Sequence, residues 1–181
     1  YLSGLGAVDD WLKLTAARRT PGSREGLFAY EKLLFQVGLG VLLAIFIYYH
    51  GNYPATPEGG APPAHKLNWP FLRDVVLQPW WIFALLTVVV ITGSSNAVNL
   101  TDGMDGLAAG CMAIVAFAFL ALSYVTGDYR WATAVCLNHV FGTGELAVVC
   151  GAITGACLGF LWFNCNPAQV FMGDTGSRAL G

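Results

Sequence analysis

Two amides, a hydroxyl and two carboxylates fall within the stretch N-A-V-N-L-T-D-G-M-D-G, Asn96 to Gly106, which interrupts an otherwise apolar part of the chain. Asn96, Asn99, Thr101, Asp102 and Asp105 offer hard oxygen donors with no histidine or cysteine close by, a set that suits Mg²⁺ or Mn²⁺ better than zinc. Gly103 and Gly106 each follow an aspartate, so the backbone can turn tightly and come close to a ligand. A helix is expected from Leu107 onward, and its free N–H groups offer a seat for a phosphate neutralised from the carboxylate side. The same residues are also ordinary turn and cap signals, so the stretch by itself reads equally as a plain loop. Two further sets of carboxylates stand apart from it. Asp9 and Asp10 are adjacent, and adjacent carboxylates repel unless a cation or a proton lies between them, which makes them either a candidate site or a solvated helix end. Asp174 follows the polar run Asn164-Cys165-Asn166-Pro167 in the sequence F-M-G-D-T-G-S.

The elements that position these groups are set by composition. The chain is 56% hydrophobic and only 11% charged, against about 25% charged in a typical soluble domain. Apolar runs from Leu33 to Tyr49, Val75 to Ser95, Leu107 to Val125 and Leu146 to Phe163 approach the roughly 20 residues that cross a bilayer. The expectation is an all-α, polytopic transmembrane helix bundle with four complete helices and a partial one at each end. Because the chain starts at Tyr1 and stops at Gly181 within an apolar pattern, it reads as an internal piece of a longer protein, one transmembrane catalytic domain over 1–181 truncated at both ends. The five cysteines are scattered and form no metal or disulfide pattern, so they read as small packing residues. No basic patch with interleaved aromatics supports nucleic acid binding.

Traced in order, Tyr1 to Val8 ends a membrane helix and delivers Asp9 and Asp10 to one face. Leu33 to Tyr49 crosses to a Pro- and Gly-rich segment whose return is marked by Trp69, Trp80 and Trp81, an interfacial belt. Val75 to Ser95 crosses back to the Asn96–Gly106 loop, Leu107 to Val125 leads to a loop from Thr126 to Gly144, and Leu146 to Phe163 returns to Asn164. On this path Lys13, Arg18, Arg19, Arg24, Lys32 and Arg178 share a face with Asp9, Asp10, Asp102, Asp105 and Asp174, whereas Lys66, Arg73, Arg130 and the histidines His50, His65 and His139 fall on the other. By the positive-inside rule the aspartate face is cytoplasmic. One aspartate at the bilayer centre costs about 2.5–3.5 kcal/mol, so helix ends beside water are the affordable place for five. A cup of negative charge there is satisfied by a divalent cation with a diphosphate.

Taken together, G-A-V-D-D-W-L-K, N-A-V-N-L-T-D-G-M-D-G-L-A, G-E-L-A-V-V-C-G-A and F-L-W-F-N-C-N-P-A-Q-V-F-M-G-D-T-G-S resemble the phospho-N-acetylmuramoyl-pentapeptide transferases, a branch of the polyprenyl-phosphate N-acetylhexosamine-1-phosphate transferases. The resemblance covers the whole chain in order. It implies a ten-helix enzyme of the bacterial inner membrane, facing the cytoplasm, of which this chain is the middle portion. That enzyme transfers phospho-MurNAc-pentapeptide from its UDP carrier to undecaprenyl phosphate, giving lipid I and UMP with Mg²⁺ as cofactor. By matching position, the resemblance implies Asp174 as leading Mg²⁺ ligand and Asn99 as a second. It makes Asp9 a base toward the lipid phosphate and Asp10 a support for the diphosphate and metal. Asn96, Asp102, Asp105, Asn164 and Phe171 become substrate contacts, Phe171 as a stacking surface for uracil. Because a phosphate monoester is already largely ionised at neutral pH, positioning and metal electrostatics are expected to outweigh proton removal. A homodimer is a family expectation.

The chain departs from the family pattern at Arg178, where an apolar residue is usual, in the segment Thr20 to Glu31, and mildly at Trp11 and Met104. A histidine-rich motif and an N-terminal lysine of the family lie beyond this chain, so the piece alone is expected to be inactive. Two other readings compete. A sister transferase moving GlcNAc-1-phosphate to the same lipid would keep the aspartates, though G-E-L near Glu145 and P-A-Q-V-F-M-G-D favour the MurNAc-pentapeptide branch. An ion-coupled transporter would place its acidic residues near the midplane in repeated halves, a pattern this sequence lacks.

Overall fold

The computed structural model describes residues 1–16, 26–51, 79–137 and 139–181, and every described regular element is a helix. In order these are α1 (Leu2–Ala16), α2 (Ala29–His50), α3 (Trp80–Thr101), α4 (Leu107–Gly127), α5 (Tyr129–Ala134), α6 (Thr143–Asn164) and α7 (Gly173–Leu180). Four of them, α2, α3, α4 and α6, are 21 or 22 residues long and apolar enough to cross a membrane. At 1.5 Å per residue that length matches a hydrocarbon core of about 30 Å. The helical polytopic class expected from composition is therefore the class observed. The chain separates into two compact units, Tyr1–Ala97 with Gly181, and Val98–Leu180.

In the first unit, α1 carries Asp9 and Lys13 one turn apart on the same face, the spacing at which opposite charges support a helix. Helix α2 starts where Phe28 is extended and its N–H donates to Glu31 Oε2 at 2.9 Å, satisfying one of the orphan donors of the first turn. It ends at Gly51, whose N–H donates to the Ile47 carbonyl at 2.8 Å. Helices α2 and α3 meet backbone to backbone: a Cβ on Gly40 would lie 2.9 Å from Val88 Cα. Small residues permit such approach where lipid supplies no hydrophobic drive between helices. Trp80 opens α3 with its side chain exposed, consistent with an interfacial belt. Trp69 and Val75 to Leu77, also assigned to that return, lie outside the described residues, as do Arg18, Arg19, Arg24, His65, Lys66 and Arg73.

In the second unit, α4 and α6 pack through small side chains. Ala108, Ala109, Ala113 and Ala116 on one and Ala147, Cys150 and Cys157 on the other are buried, while Ile114, Phe117, Val148 and Trp162 point outward. Cys150 and Cys157 are buried, as expected of packing residues, whereas Cys111, Cys136 and Cys165 are exposed and do not follow that reading. Gly106 opens α4 at φ +76, and a Cβ there would meet Leu161 Cδ1 at 3.2 Å. Replacing Gly106 with Ala imposes left-handed strain of about 1–2 kcal/mol on top of that contact. The expected outcome is a lowered apparent Tm of the full-length protein in detergent.

Three element boundaries differ from the sequence reading. Helix α3 runs on through Asn96 and Asn99 to Thr101, so only Asp102 to Gly106 forms the turn. The polar residues continue the helix because each finds a partner, as described below. Asp9 and Asp10 lie inside α1 rather than at its exit. The segment from Thr126 to Gly144 contains the short helix α5, started by Asp128, whose carboxylate accepts from the Arg130 N–H at 2.8 Å.

Candidate functional site

Asp9 has no exposed surface and is held from three directions. Its Oδ1 accepts from the Leu27 N–H at 2.8 Å, and its Oδ2 accepts from Lys13 Nζ at 2.8 Å and Lys32 Nζ at 2.5 Å. A buried carboxylate of this kind is tolerated because cationic and backbone donors replace the water it gave up. Gly26 makes room for it: a Cβ there would approach Asp9 Oδ1 to 2.9 Å. Asp10 differs, with 28% of its side chain exposed and Lys13 Nζ 4.0 Å away. One carboxylate of the pair is thus fully buried and its neighbour is part-exposed. Lys32 was legible only as one more basic residue; its link to Asp9, across 23 positions, was not.

The end of α3 that carries Asn96 is joined to the first half of α2. Gln36 is fully buried, and its Nε2 reaches Ser95 Oγ at 3.3 Å and Asn96 Oδ1 at 3.4 Å, while Asn96 Nδ2 donates to Gln36 Oε1 at 2.8 Å and to the Thr92 carbonyl at 2.9 Å. Asn96 therefore spends its amide on joining two apolar helices, a contact that interhelical amides commonly make in membranes. Gln36 is a site-supporting residue that the sequence reading passed over. Its signal was a lone amide early in an apolar run.

In the second unit, the turn after α3 and the segment after α6 are tied together by side chains. Asn164 is 4% exposed; its Oδ1 accepts from the Gly106 N–H at 3.1 Å and its Nδ2 donates to the Val170 carbonyl at 2.8 Å. Asp105 is exposed, and its Oδ2 accepts from the Ala168 N–H at 3.2 Å. Asp102 is half-buried at the end of α3, with its N–H closing the last turn on the Val98 carbonyl at 3.0 Å. Phe171 is 72% exposed, an aromatic face open to stacking. The start of α4 is not the open anion seat expected from the free N–H groups of a helix N-terminus. The Gly106 N–H goes to Asn164, the Leu107 N–H goes to the Met104 carbonyl at 3.2 Å, and Ala108 and Ala109 are buried.

Replacing Asn164 with Ala would strip partners from a backbone N–H and a carbonyl at once. Gly106 is half-buried and Val170 exposed, so water replaces part of what is lost; at about 0.5–1.5 kcal/mol for each hydrogen bond, the expected result is a drop of about 1–3 kcal/mol in stability. Asn164→Asp keeps the acceptor and loses the donor, so its apparent Tm should fall between the two.

Helix α7 supplies the remaining group. Asp174 stands in its first turn with 17% of its side chain exposed, and its Oδ2 accepts from Arg178 Nε at 3.3 Å. Ser177, fully buried, lies within donating distance of Asn99 Oδ1 at 3.2 Å and the Gly173 carbonyl at 2.9 Å. Asp174 and Asn99 thus offer hard oxygen atoms within one unit, each steadied by a side chain of α7. That donor chemistry fits Mg²⁺ or Mn²⁺. Ser177 and Arg178 were not singled out as site residues, and the signal was their place one turn beyond Asp174.

A family model described as glycosyl transferase family 4 matches residues 1–181. The chain belongs to that family. Three curated relatives, each called phospho-N-acetylmuramoyl-pentapeptide-transferase, align with it closely. The protein of Desulfotalea psychrophila is 43% identical over 181 residues, covering 100% of this chain and 46% of the relative. That of Methylacidiphilum infernorum is 42% identical over 182 residues, with the same coverage of 100% and 46%. That of Rickettsia rickettsii (strain Sheila Smith) is 40% identical over 177 residues, 98% of this chain and 45% of the relative. The chain thus spans about half the length of the curated relatives it matches. With four helices of spanning length, this member of the glycosyl transferase family 4 is a multi-pass membrane protein.

Proposed function

We propose that the protein containing this chain transfers phospho-MurNAc-pentapeptide from UDP-MurNAc-pentapeptide to undecaprenyl phosphate, producing lipid I and UMP for peptidoglycan synthesis. The observation that carries this reading is the match to relatives of that name along the entire chain at about 40% identity. The exposed Phe171 and the part-exposed Asp174 support it, since they offer a nucleobase surface and a phosphate-side oxygen in one unit.

Asp174 and Asn99 would hold Mg²⁺, which when bound spreads the charge that builds on the diphosphate and stabilises UMP as it leaves. Asp10, the part-exposed member of its pair, acts on the diphosphate side. Asp9 acts on the lipid-phosphate side chiefly by positioning Lys13 and Lys32, because its own oxygens are engaged by donors. Asp102, Asp105 and Phe171 serve the nucleoside end, and Asn164 and Asn96 shape the segments that carry it. Residues 1–181 form part of one catalytic transmembrane domain in the bacterial inner membrane, with the aspartates facing the cytoplasm, and the full-length protein works as a homodimer.

The test uses the full-length protein in detergent with undecaprenyl phosphate and Mg²⁺, following UMP release from UDP-MurNAc-pentapeptide and from UDP-GlcNAc. Release from the first alone supports the reading. Release only from UDP-GlcNAc moves the protein to the sister transferases, and no release with no nucleotide-sugar binding overturns the enzymatic reading.

A further inference from the structure

Arg178 is a charged side chain in an otherwise small or apolar last turn, and it is only 4% exposed. A guanidinium is never neutral in a protein, so burial obliges it to keep a counter-charge. One carboxylate it reaches is that of Asp174, one turn earlier, through Nε to Oδ2 at 3.3 Å. The same carboxylate is the proposed leading metal ligand. Two demands therefore meet on one group, and they oppose each other: a cation approaching Asp174 meets a positive charge already seated there, in surroundings that screen it less than water would. Asn99 carries no such rival, because its partner Ser177 is a neutral hydroxyl at 3.2 Å.

We propose that Arg178 is a positioning residue for Asp174, a resident counter-cation that orients the carboxylate and competes with the divalent metal for it. The protein accordingly binds metal more weakly than it would with an apolar residue at position 178. This rests on the reading of Asp174 as a metal ligand.

The test is a Mn²⁺ titration of the purified full-length protein, following the free Mn²⁺ signal by electron paramagnetic resonance. Arg178→Leu should lower the Mn²⁺ Kd about three- to tenfold, the size expected for one partly buried ion pair. Arg178→Lys, which keeps the charge, should return the Kd to within about twofold of the wild type. Asp174→Asn should abolish the binding that these variants modulate. An unchanged or weaker Mn²⁺ affinity in Arg178→Leu, with Asp174→Asn still abolishing binding, overturns the inference and leaves the metal assignment standing. Binding untouched by Asp174→Asn overturns the assignment and the inference together. Should Arg178→Leu fail to fold, Arg178→Met and Arg178→Gln repeat the measurement with unbranched neutral side chains. Loss of the fold in all three neutral variants would make the pair purely structural and overturn the proposal.

Discussion

Asp174→Asn in the full-length protein is expected to reduce UMP release by about 10²–10³-fold, the range seen when one preorganised electrostatic contact to a transition state is removed. The substitution keeps the shape of the side chain and removes its charge, so it weakens the hold on a divalent cation while leaving the start of α7 in place. It also has a second consequence, because Arg178 loses the carboxylate that its Nε contacts. A charged hydrogen bond lost in a partly buried place costs about 1–3 kcal/mol. A fall in activity alone would therefore confuse chemistry with folding. The double variant Asp174→Asn with Arg178→Leu separates them: apparent Tm should return toward the wild type, and UMP release should not. Recovery of both would mean that Asp174 serves the structure and not the reaction, and the metal would have to be held elsewhere.

The membrane class was legible because apolar runs of 17 to 21 residues leave a chain few alternatives to spanning helices. Helix ends were harder to read. Asn96 and Asn99 look like loop residues when judged by type, since amides favour turns. They remain helical because Gln36, 60 positions away, and Ser177, 78 positions away, take up their side chains. Partnerships over such distances leave no trace in local pattern. For the same reason the residue types of the site were readable but their division of labour was not. Asp9 and Asp10 are indistinguishable as letters, yet one is fully buried against two lysines and the other is part-exposed. Asn164 reads as a substrate contact by its match to a family position. What its letter does not show is that its amide joins Gly106 to Val170, an arrangement that depends on α4 and α6 lying side by side through small residues.

That contrast between the paired aspartates gives the second large effect. Asp9→Asn should abolish most activity and also lower stability by about 3 kcal/mol, the cost of breaking a buried ion pair from one side. The amide cannot neutralise Lys32, whose side chain is 15% exposed, and it offers the Leu27 N–H a weaker acceptor. Asp10→Asn should lower stability by less than Asp9→Asn does, because the Asp10 side chain is 28% exposed and lies 4.0 Å from Lys13 Nζ, whereas Asp9 is fully buried. Activity lost in Asp10→Asn at an unchanged apparent Tm would be chemical in origin. Thermal unfolding in detergent beside UMP release reads both quantities. If Asp9→Asn keeps its apparent Tm while losing activity, Lys13 and Lys32 do not depend on it for their placement, and Asp9 would act on the substrate directly. If it loses both, adding Lys32→Met removes the charge that faced Asp9 and should restore part of the stability. Activity should stay low in that double variant, because the ammonium that Asp9 holds in place is then missing as well.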